Sequence, residues 1–197
     1  MELYEGLISR RSIRRYKQNP ISSEMLEKII NAARFAPSAG NRQPWEFVVV
    51  TERERVRKIH SCVRWLKASG EPGSKEKPVV YIVVLLNKKR AKGWAAMADC
   101  AAATQNILLA AHSFGLGSCW IGSVEREKVA ELLNLPSYFY IFSIISLGYP
   151  EESPRIREEK EEKIIPQKDE KGNLWVPKRD LSQILHLQSY PEEGKDV

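Results

Sequence analysis

The sequence predicts a three-layer α+β domain, and three observations carry that reading. An unbroken apolar run, 78–86, and a mostly apolar one, 140–147, have the composition of buried strands. The stretch from Gly93 to Gly122 reads as one long alanine-rich helix, a glycine stop and a short strand. Strands and helices mix along the chain without strict βαβ alternation, which argues against a doubly wound parallel sheet. The 197 residues suit one domain of up to about 200 residues with a sizeable core.

From the N-terminus, Glu2 to Ser9 places Leu3, Tyr4, Leu7 and Ile8 on one helical stripe, so a short amphipathic helix is expected. Arg10-Arg11-Ser12-Ile13-Arg14-Arg15-Tyr16 follows. If extended, it puts Arg10, Ser12 and Arg14 on one face and Arg11, Ile13 and Arg15 on the other. An Arg-Ser-Arg face is chemically a phosphate clasp; a solvated basic turn and a nucleic-acid patch are the other readings of the same cluster. The turn Asn19 to Ser23 caps a second helix from about Glu24 to Ala36, which Pro37 stops. The loop Pro37-Ser38-Ala39-Gly40-Asn41-Arg42-Gln43-Pro44-Trp45 is rich in amides and hydroxyls, groups able to read the edge of a planar heterocycle. It also reads as an ordinary connection with Asn41 in the left-handed region.

A strand is expected over 46–50, an amphipathic helix over 52–67 and a flexible loop over Gly70–Ser74 before the apolar run 78–86. Alanines at eight positions between Ala95 and Ala111 favour helix at little entropic cost. Small residues on several sides predict that this helix is buried nearly all round. Gly115 and Gly117 end it by taking φ > 0, and Ser118 to Ile121 forms a buried strand opening onto Gly122, where backbone can approach a ligand. A helix from Val124 to Leu133, capped by Ser123, and the strand 140–147 complete a core over residues 1–150. Residues 151–197 form a charged extension with apolar islands at 174–176 and 181–187. It has too little apolar content to fold alone, which predicts that it wraps the core or a partner subunit.

The net charge of +6 is modest, and much of the basic excess sits in residues 10–17, a cluster that calls for an anionic partner or a solvated face. The three cysteines, Cys62, Cys100 and Cys119, show no CxxC spacing, and no signal segment precedes them; a reducing cytoplasm without disulfides is expected. Asp99, Gln105, Asn106 and His112 interrupt the alanine-rich helix too often for a membrane span. The Lys/Glu run at 158–163 fits either a thermophile's ion-pair network or a solvated helix face.

No nucleophilic triad or metal site assembles. His60, His112 and His186 lie in unrelated segments, and no metal-ligand spacing occurs. Cys119 has no evident activating partner. Gly115 and Gly117 follow a helix rather than a strand, so they are not a dinucleotide fingerprint, and no Walker A sequence is present. An anion clasp, an amide-rich loop and a glycine-edged strand remain, which suits an enzyme whose cofactor carries the chemistry.

Four segments in order, RRSIR, PSAGNRQPW, AAHSFGLGSCWIG and LGYP, resemble the FMN-dependent nitroreductase family over roughly residues 3–150. The resemblance implies a mainly antiparallel central sheet flanked by helices, and a homodimer with two FMN sites built from both chains. It places Arg10, Arg11, Ser12 and Arg14 on the phosphate and part of the ring. Pro37, Ser38, Asn41 and Gln43 meet the partner subunit's flavin, and the backbone of Trp120, Ile121 and Gly122 lies at flavin N5 and O4. Lys178 and Arg179 stand near a basic position that the family uses on the phosphate, although Asp180 replaces the usual proline before Leu181. A basic or amide group from 60–77 is implied near flavin N1 and O2, without a particular residue.

The expected activity is hydride transfer from NADH or NADPH to a nitroaromatic, quinone or related small acceptor, with neither nucleic acid nor membrane as partner. Alternatives are a same-fold flavoenzyme of other chemistry, such as dehalogenation or heterocycle oxidation, a flavin-binding regulatory module, and a basic nucleic-acid-binding protein.

Overall fold

The structure, a computed structural model, describes residues 2–66, 70–159, 164–170 and 174–190. The chain divides into two units, Met1–Glu152 and Ser153–Val197. The first contains α1 (Leu3–Ser9), β1 (Tyr16–Lys17), α2 (Ser23–Arg34), a 3-10 turn (Ala39–Asn41), β2 (Trp45–Val50), α3 (Arg53–Ser61), β3 (Val80–Asn87), α4 (Gly93–Ser113), β4 (Gly117–Ile121), α5 (Arg126–Leu132) and β5 (Phe139–Pro150).

The five strands form one sheet in the order β1-β5-β3-β2, with β4 also paired to β5, and every strand pairing in it is antiparallel. Because side chains alternate along a strand, β3 feeds two cores. Val80, Ile82, Val84 and Leu86 pack with α2 and α4 on one face, while Tyr81, Val83 and Leu85 pack with α3 and α5 on the other. Ile145 and Ile144 of β5 divide in the same way. The result is the expected three-layer α+β architecture, and the two apolar runs are its central strands.

Local chemistry sets the helix ends. Ser22 caps α2 by accepting from the Met25 amide at 3.3 Å. At the end of α4, Gly115 takes φ 75°, its amide donates to His112 O at 3.0 Å and the Leu116 amide donates to Ala111 O at 2.9 Å. That is a Schellman closure.

Four expectations are corrected. First, α3 ends at Ser61, and Lys67 lies outside the described residues. Val63 leaves the helix to bridge Val124, with the Arg64 amide bonded to Ser123 O and the Glu125 amide to Cys62 O. Second, the same bridge delays α5 to Arg126, and Ser123 supplies a backbone carbonyl rather than a side-chain cap. Third, Gly117 does not end α4; it begins β4, opposite Gly148. Fourth, α4 buries one stripe, Ala96, Asp99/Cys100, Ala103/Thr104, Ile107/Leu108 and Ala111, whereas Trp94 is 82% exposed in the single chain.

In the second unit, β6 (Arg155–Glu159) and β8 (Leu174–Arg179) pair in parallel, and β7 (Gln167–Lys168) pairs with the other edge of β8. A 3-10 turn at Leu181–Gln183 follows, capped by Asp180, which accepts from the Ser182 amide at 2.9 Å. Of the Lys/Glu run, Glu158 and Glu159 lie in β6, and residues 160–163 are outside the described set.

Candidate functional site

The N-terminal arm is extended where it leaves α1, and it lies against the sheet because two glycines let it. The Ile13 amide donates to Ser118 O at 2.9 Å, and Ser12 forms a parallel bridge with Ser118. Ile13 sits directly over Gly117, where an added Cβ would come within 2.7 Å of its side chain; Tyr16 covers Gly148 in the same way, at 2.8 Å. The Tyr16 hydroxyl then ties the arm down, sharing a hydrogen bond with Ser146 Oγ at 2.7 Å and donating to Ile13 O.

With Ile13 turned into the core, Arg10, Ser12 and Arg14 share the face toward Cys119. The Ser12 hydroxyl and the Arg14 and Arg10 charges all act to lower the pKa of its thiol. Arg11 turns back instead, donating from Nη1 to Ile8 O at 2.7 Å and Arg10 O at 2.6 Å, where it caps the end of α1. Glu152 holds the far end of the arm through the Arg14 and Arg15 amides, and Arg15 pairs with Glu76 at 3.8 Å. Among the described residues, no carboxylate forms an ion pair with Arg10, Arg11 or Arg14. Burial lowers the Arg10 pKa from its ordinary value, and Arg11 is lowered by burial and by the Arg10 charge.

Arg14 also lines a cleft of about 400 Å³ together with Arg64, Trp65 and Leu66 and the segment Cys119–Ser123. This brings the expected Arg14, Trp120, Ile121 and Gly122 together. Trp120 is 37% exposed at its mouth. The Gly122 carbonyl accepts from Arg126 Nη2 at 3.0 Å, and a side chain added at Gly122 would meet nothing within 4 Å, so approach to this backbone is open.

Arg64 and Trp65 line this cleft and fall within 60–77, where the sequence singled out no residue. The signal was a basic-aromatic pair, hidden by the expectation that α3 continues through it. Once Val63 bridges Val124, both residues turn to the cleft.

The loop Pro37–Gln43 lies elsewhere in the chain, and among the described residues none of Pro37, Ser38, Asn41 and Gln43 lines the cleft. Its backbone is wound tightly: Gly40, Asn41 and Gln43 have φ of 58°, 53° and 47°. Ser38 Oγ accepts from the Gln43 amide at 3.0 Å, Gln43 Nε2 donates to Asn41 Oδ1 at 3.0 Å, and the Ala39 amide donates to Asp99 Oδ1 at 3.0 Å. Lys178 and Arg179 are exposed at the end of β8 in the second unit, with Arg179 Nη2 bonded to Gln183 O at 2.8 Å.

Burial pushes the Cys119 thiol up despite the cations beside it, so it stays protonated and is a poor nucleophile. Among the described residues no group of three His, Cys, Asp or Glu could hold a metal ion, and no helix is long and apolar enough to cross a membrane. The site is thus a basic arm beside an open strand end, on an antiparallel sheet flanked by helices.

Comparison with known proteins agrees. The Nitroreductase family profile matches residues 7–149. A protein of Archaeoglobus fulgidus, provisionally named NADH dehydrogenase/NAD(P)H nitroreductase, is 42% identical over 155 residues, covering 77% of this chain and 87% of the relative. FMN reductase [NAD(P)H] of Bacillus subtilis is 28% identical over 98% of this chain and 81% of its own length. Among solved structures, an FMN-dependent nitroreductase from Clostridium difficile superposes with a TM-score of 0.70 at 28% identity, covering 95% of this chain and 99% of that one. A nitroreductase from Desulfovibrio desulfuricans, solved in complex with FMN, gives 0.71 at 25% identity, covering 97% and 99%. The chain belongs to the nitroreductase family.

Proposed function

We propose that this chain is a homodimeric, cytoplasmic FMN enzyme that accepts hydride from NADH or NADPH and passes electrons to a nitroaromatic, quinone or related acceptor. It is an NAD(P)H-dependent flavin oxidoreductase. One observation carries the cofactor assignment: Arg10, Ser12 and Arg14 share one face, their charges answered by no described carboxylate, beside a cleft that ends at Trp120–Gly122. Half-buried cations without an acid partner call for an anion, and guanidinium forks with a hydroxyl match a phosphate monoester. FMN carries such a group at the end of its chain, which favours it over FAD, whose diphosphate would have no fingerprint to receive it.

Bound FMN supplies the hydride and electron chemistry. The protein's share is placement and charge. Arg10, Ser12 and Arg14 would hold the phosphate and part of the ring, Arg64 would bring positive charge to the ring edge, and backbone at Ile121 and Gly122 would border its reacting side. No side-chain acid is required.

The dimer is supported by what one chain leaves uncovered. Leu3, Tyr4, Leu7 and Ile8 of α1, Phe35 after α2, Trp94 of α4 and Phe114 are all exposed. Covering these side chains against a second copy would take their apolar surface out of water. It also gives Pro37, Ser38, Asn41 and Gln43 a role, at the flavin held by the partner. Lys178 and Arg179 are assigned to the phosphate on resemblance alone, and residues 151–197 to wrapping the core or the partner. Three free cysteines suit a reducing cytoplasm.

The test is a spectrum of the purified protein, reconstitution with FMN and with FAD, and titration of the loaded protein with NADH and NADPH. A yellow protein holding one FMN per chain and bleached by a nicotinamide is expected. A colourless protein that no flavin restores refutes the reading.

A further inference from the structure

The loop Pro37–Gln43 holds two non-glycine residues, Asn41 and Gln43, in the left-handed region besides Gly40. Such a backbone costs energy and persists only where its surroundings over-determine it. Ser38 secures the loop to itself, accepting from the Gln43 amide on Oγ and from the Asn41 amide on its carbonyl. Two bonds tie the loop to the body of the domain. One is Arg90 Nε to Arg42 O at 3.1 Å, which is exposed. The other is the Ala39 amide to Asp99 Oδ1 at 3.0 Å, and Asp99 is 7% exposed on the buried stripe of α4.

Asp99 is the anomaly of that stripe, whose other members are Ala, Cys, Thr, Ile and Leu. Its second oxygen, Oδ2, is buried with no hydrogen-bond partner among the described residues. Burying half a carboxylate unsatisfied costs stability that alanine or leucine would not. An alanine-rich helix gains nothing from it by packing, but the Ala39 amide gains a charged acceptor at the base of the strained loop.

We propose that Asp99 is a positioning residue: by accepting the Ala39 amide it fixes the backbone of residues 38–43, and with it the side chains of Ser38, Asn41 and Gln43, in one preformed arrangement. Where these groups meet the partner's flavin, an inference that rests on the function proposed above, Asp99 acts on flavin binding without touching it.

The test uses the full chain before and after saturation with FMN. Asp99→Ala removes the acceptor, and Asp99→Asn keeps Oδ1. Ala39→Pro removes the donor from the other side; proline fits there because Ser38 is extended, φ −145° and ψ 148°, and position 39 opens the turn. Amide hydrogen exchange at 39–43 and FMN affinity by flavin fluorescence are measured for each. Asp99→Ala is expected to accelerate exchange across the loop and to weaken FMN affinity about tenfold, the loss for a charge-assisted hydrogen bond. Asp99→Asn should restore both to within about threefold. Adding Asp99→Ala to Ala39→Pro should weaken binding no further, since the two remove one bond.

Unchanged loop exchange in Asp99→Ala, or additive losses in the double variant, overturns the proposal. If Asp99→Ala does not fold, Ala39→Pro measured against Asp99→Asn decides it: wild-type exchange and affinity in Ala39→Pro overturn the proposal, and losses there with Asp99→Asn intact support it. A wild-type chain that binds no flavin refutes the flavin reading while the exchange data still judge Asp99.

Discussion

Gly117→Ala tests whether the basic arm is held by close packing. The added Cβ would lie 2.7 Å, 2.8 Å and 2.9 Å from Cγ2, Cβ and Cγ1 of Ile13, where ordinary contact begins near 3.4 Å. Ile13 has no room to yield, being 8% exposed, bonded through its amide to Ser118 O and accepting the Tyr16 hydroxyl on its carbonyl. The arm must therefore lift. Overpacking of this kind costs about 1–3 kcal/mol, and a chain of this length loses about 2–4 °C in Tm per kcal/mol. Lifting the arm also moves Arg10, Ser12 and Arg14 together, so FMN affinity should fall by more than it does for loss of any one of them. Thermal unfolding of the flavin-free protein reads the first effect and flavin fluorescence the second. Ile13→Ala removes Cγ1 and Cγ2 from the contact and leaves only Cβ, so the double variant should recover part of the loss and be less destabilised than the sum of the singles. A Gly117→Ala protein that melts and binds flavin like wild type, or strict additivity with Ile13→Ala, would refute the reasoning.

Three further outcomes are expected. Arg10→Ala removes charge-assisted hydrogen bonds worth roughly 1.5–3 kcal/mol, so titration should show FMN affinity weakened about tenfold or more, with the flavin-free fold unchanged. Burial lowers the His60 pKa below its ordinary value, with Lys77 acting in the same direction and Glu71 against it. The folded state thus binds fewer protons than the unfolded one just below about pH 6.5, so stability is full above that pH and falls as pH drops through the window. Denaturant melts of wild type and His60→Gln between pH 5 and pH 8 should show a shallower acid loss in the variant. If reductant and acceptor use one flavin face in turn, steady-state rates at several fixed acceptor concentrations should give parallel double-reciprocal lines; intersecting lines count against it.

By itself the sequence determined what is local and periodic. The runs 78–86 and 140–147 read as central strands because they are short, mostly apolar and rich in β-branched and aromatic residues. The Ser22 cap and the Gly115 stop follow from chemistry within a few residues, and the alternation that separates Arg10, Ser12 and Arg14 from Ile13 follows from the period of an extended chain. What required the tertiary structure was every choice made by a distant partner. Val63 continues a helical pattern until Val124 offers it a bridge, and only then do Arg64 and Trp65 reach the cleft. Gly117 looks like a helix terminator until Ile13 is seen above it. The alanines of α4 allow close neighbours on all sides, but a single chain supplies them on one stripe, leaving Trp94 uncovered. Asp99 reads as an interruption in an apolar helix because the amide it accepts belongs to another segment. Sequence periodicity reports which face a residue is on; which group stands opposite is decided when the layers pack.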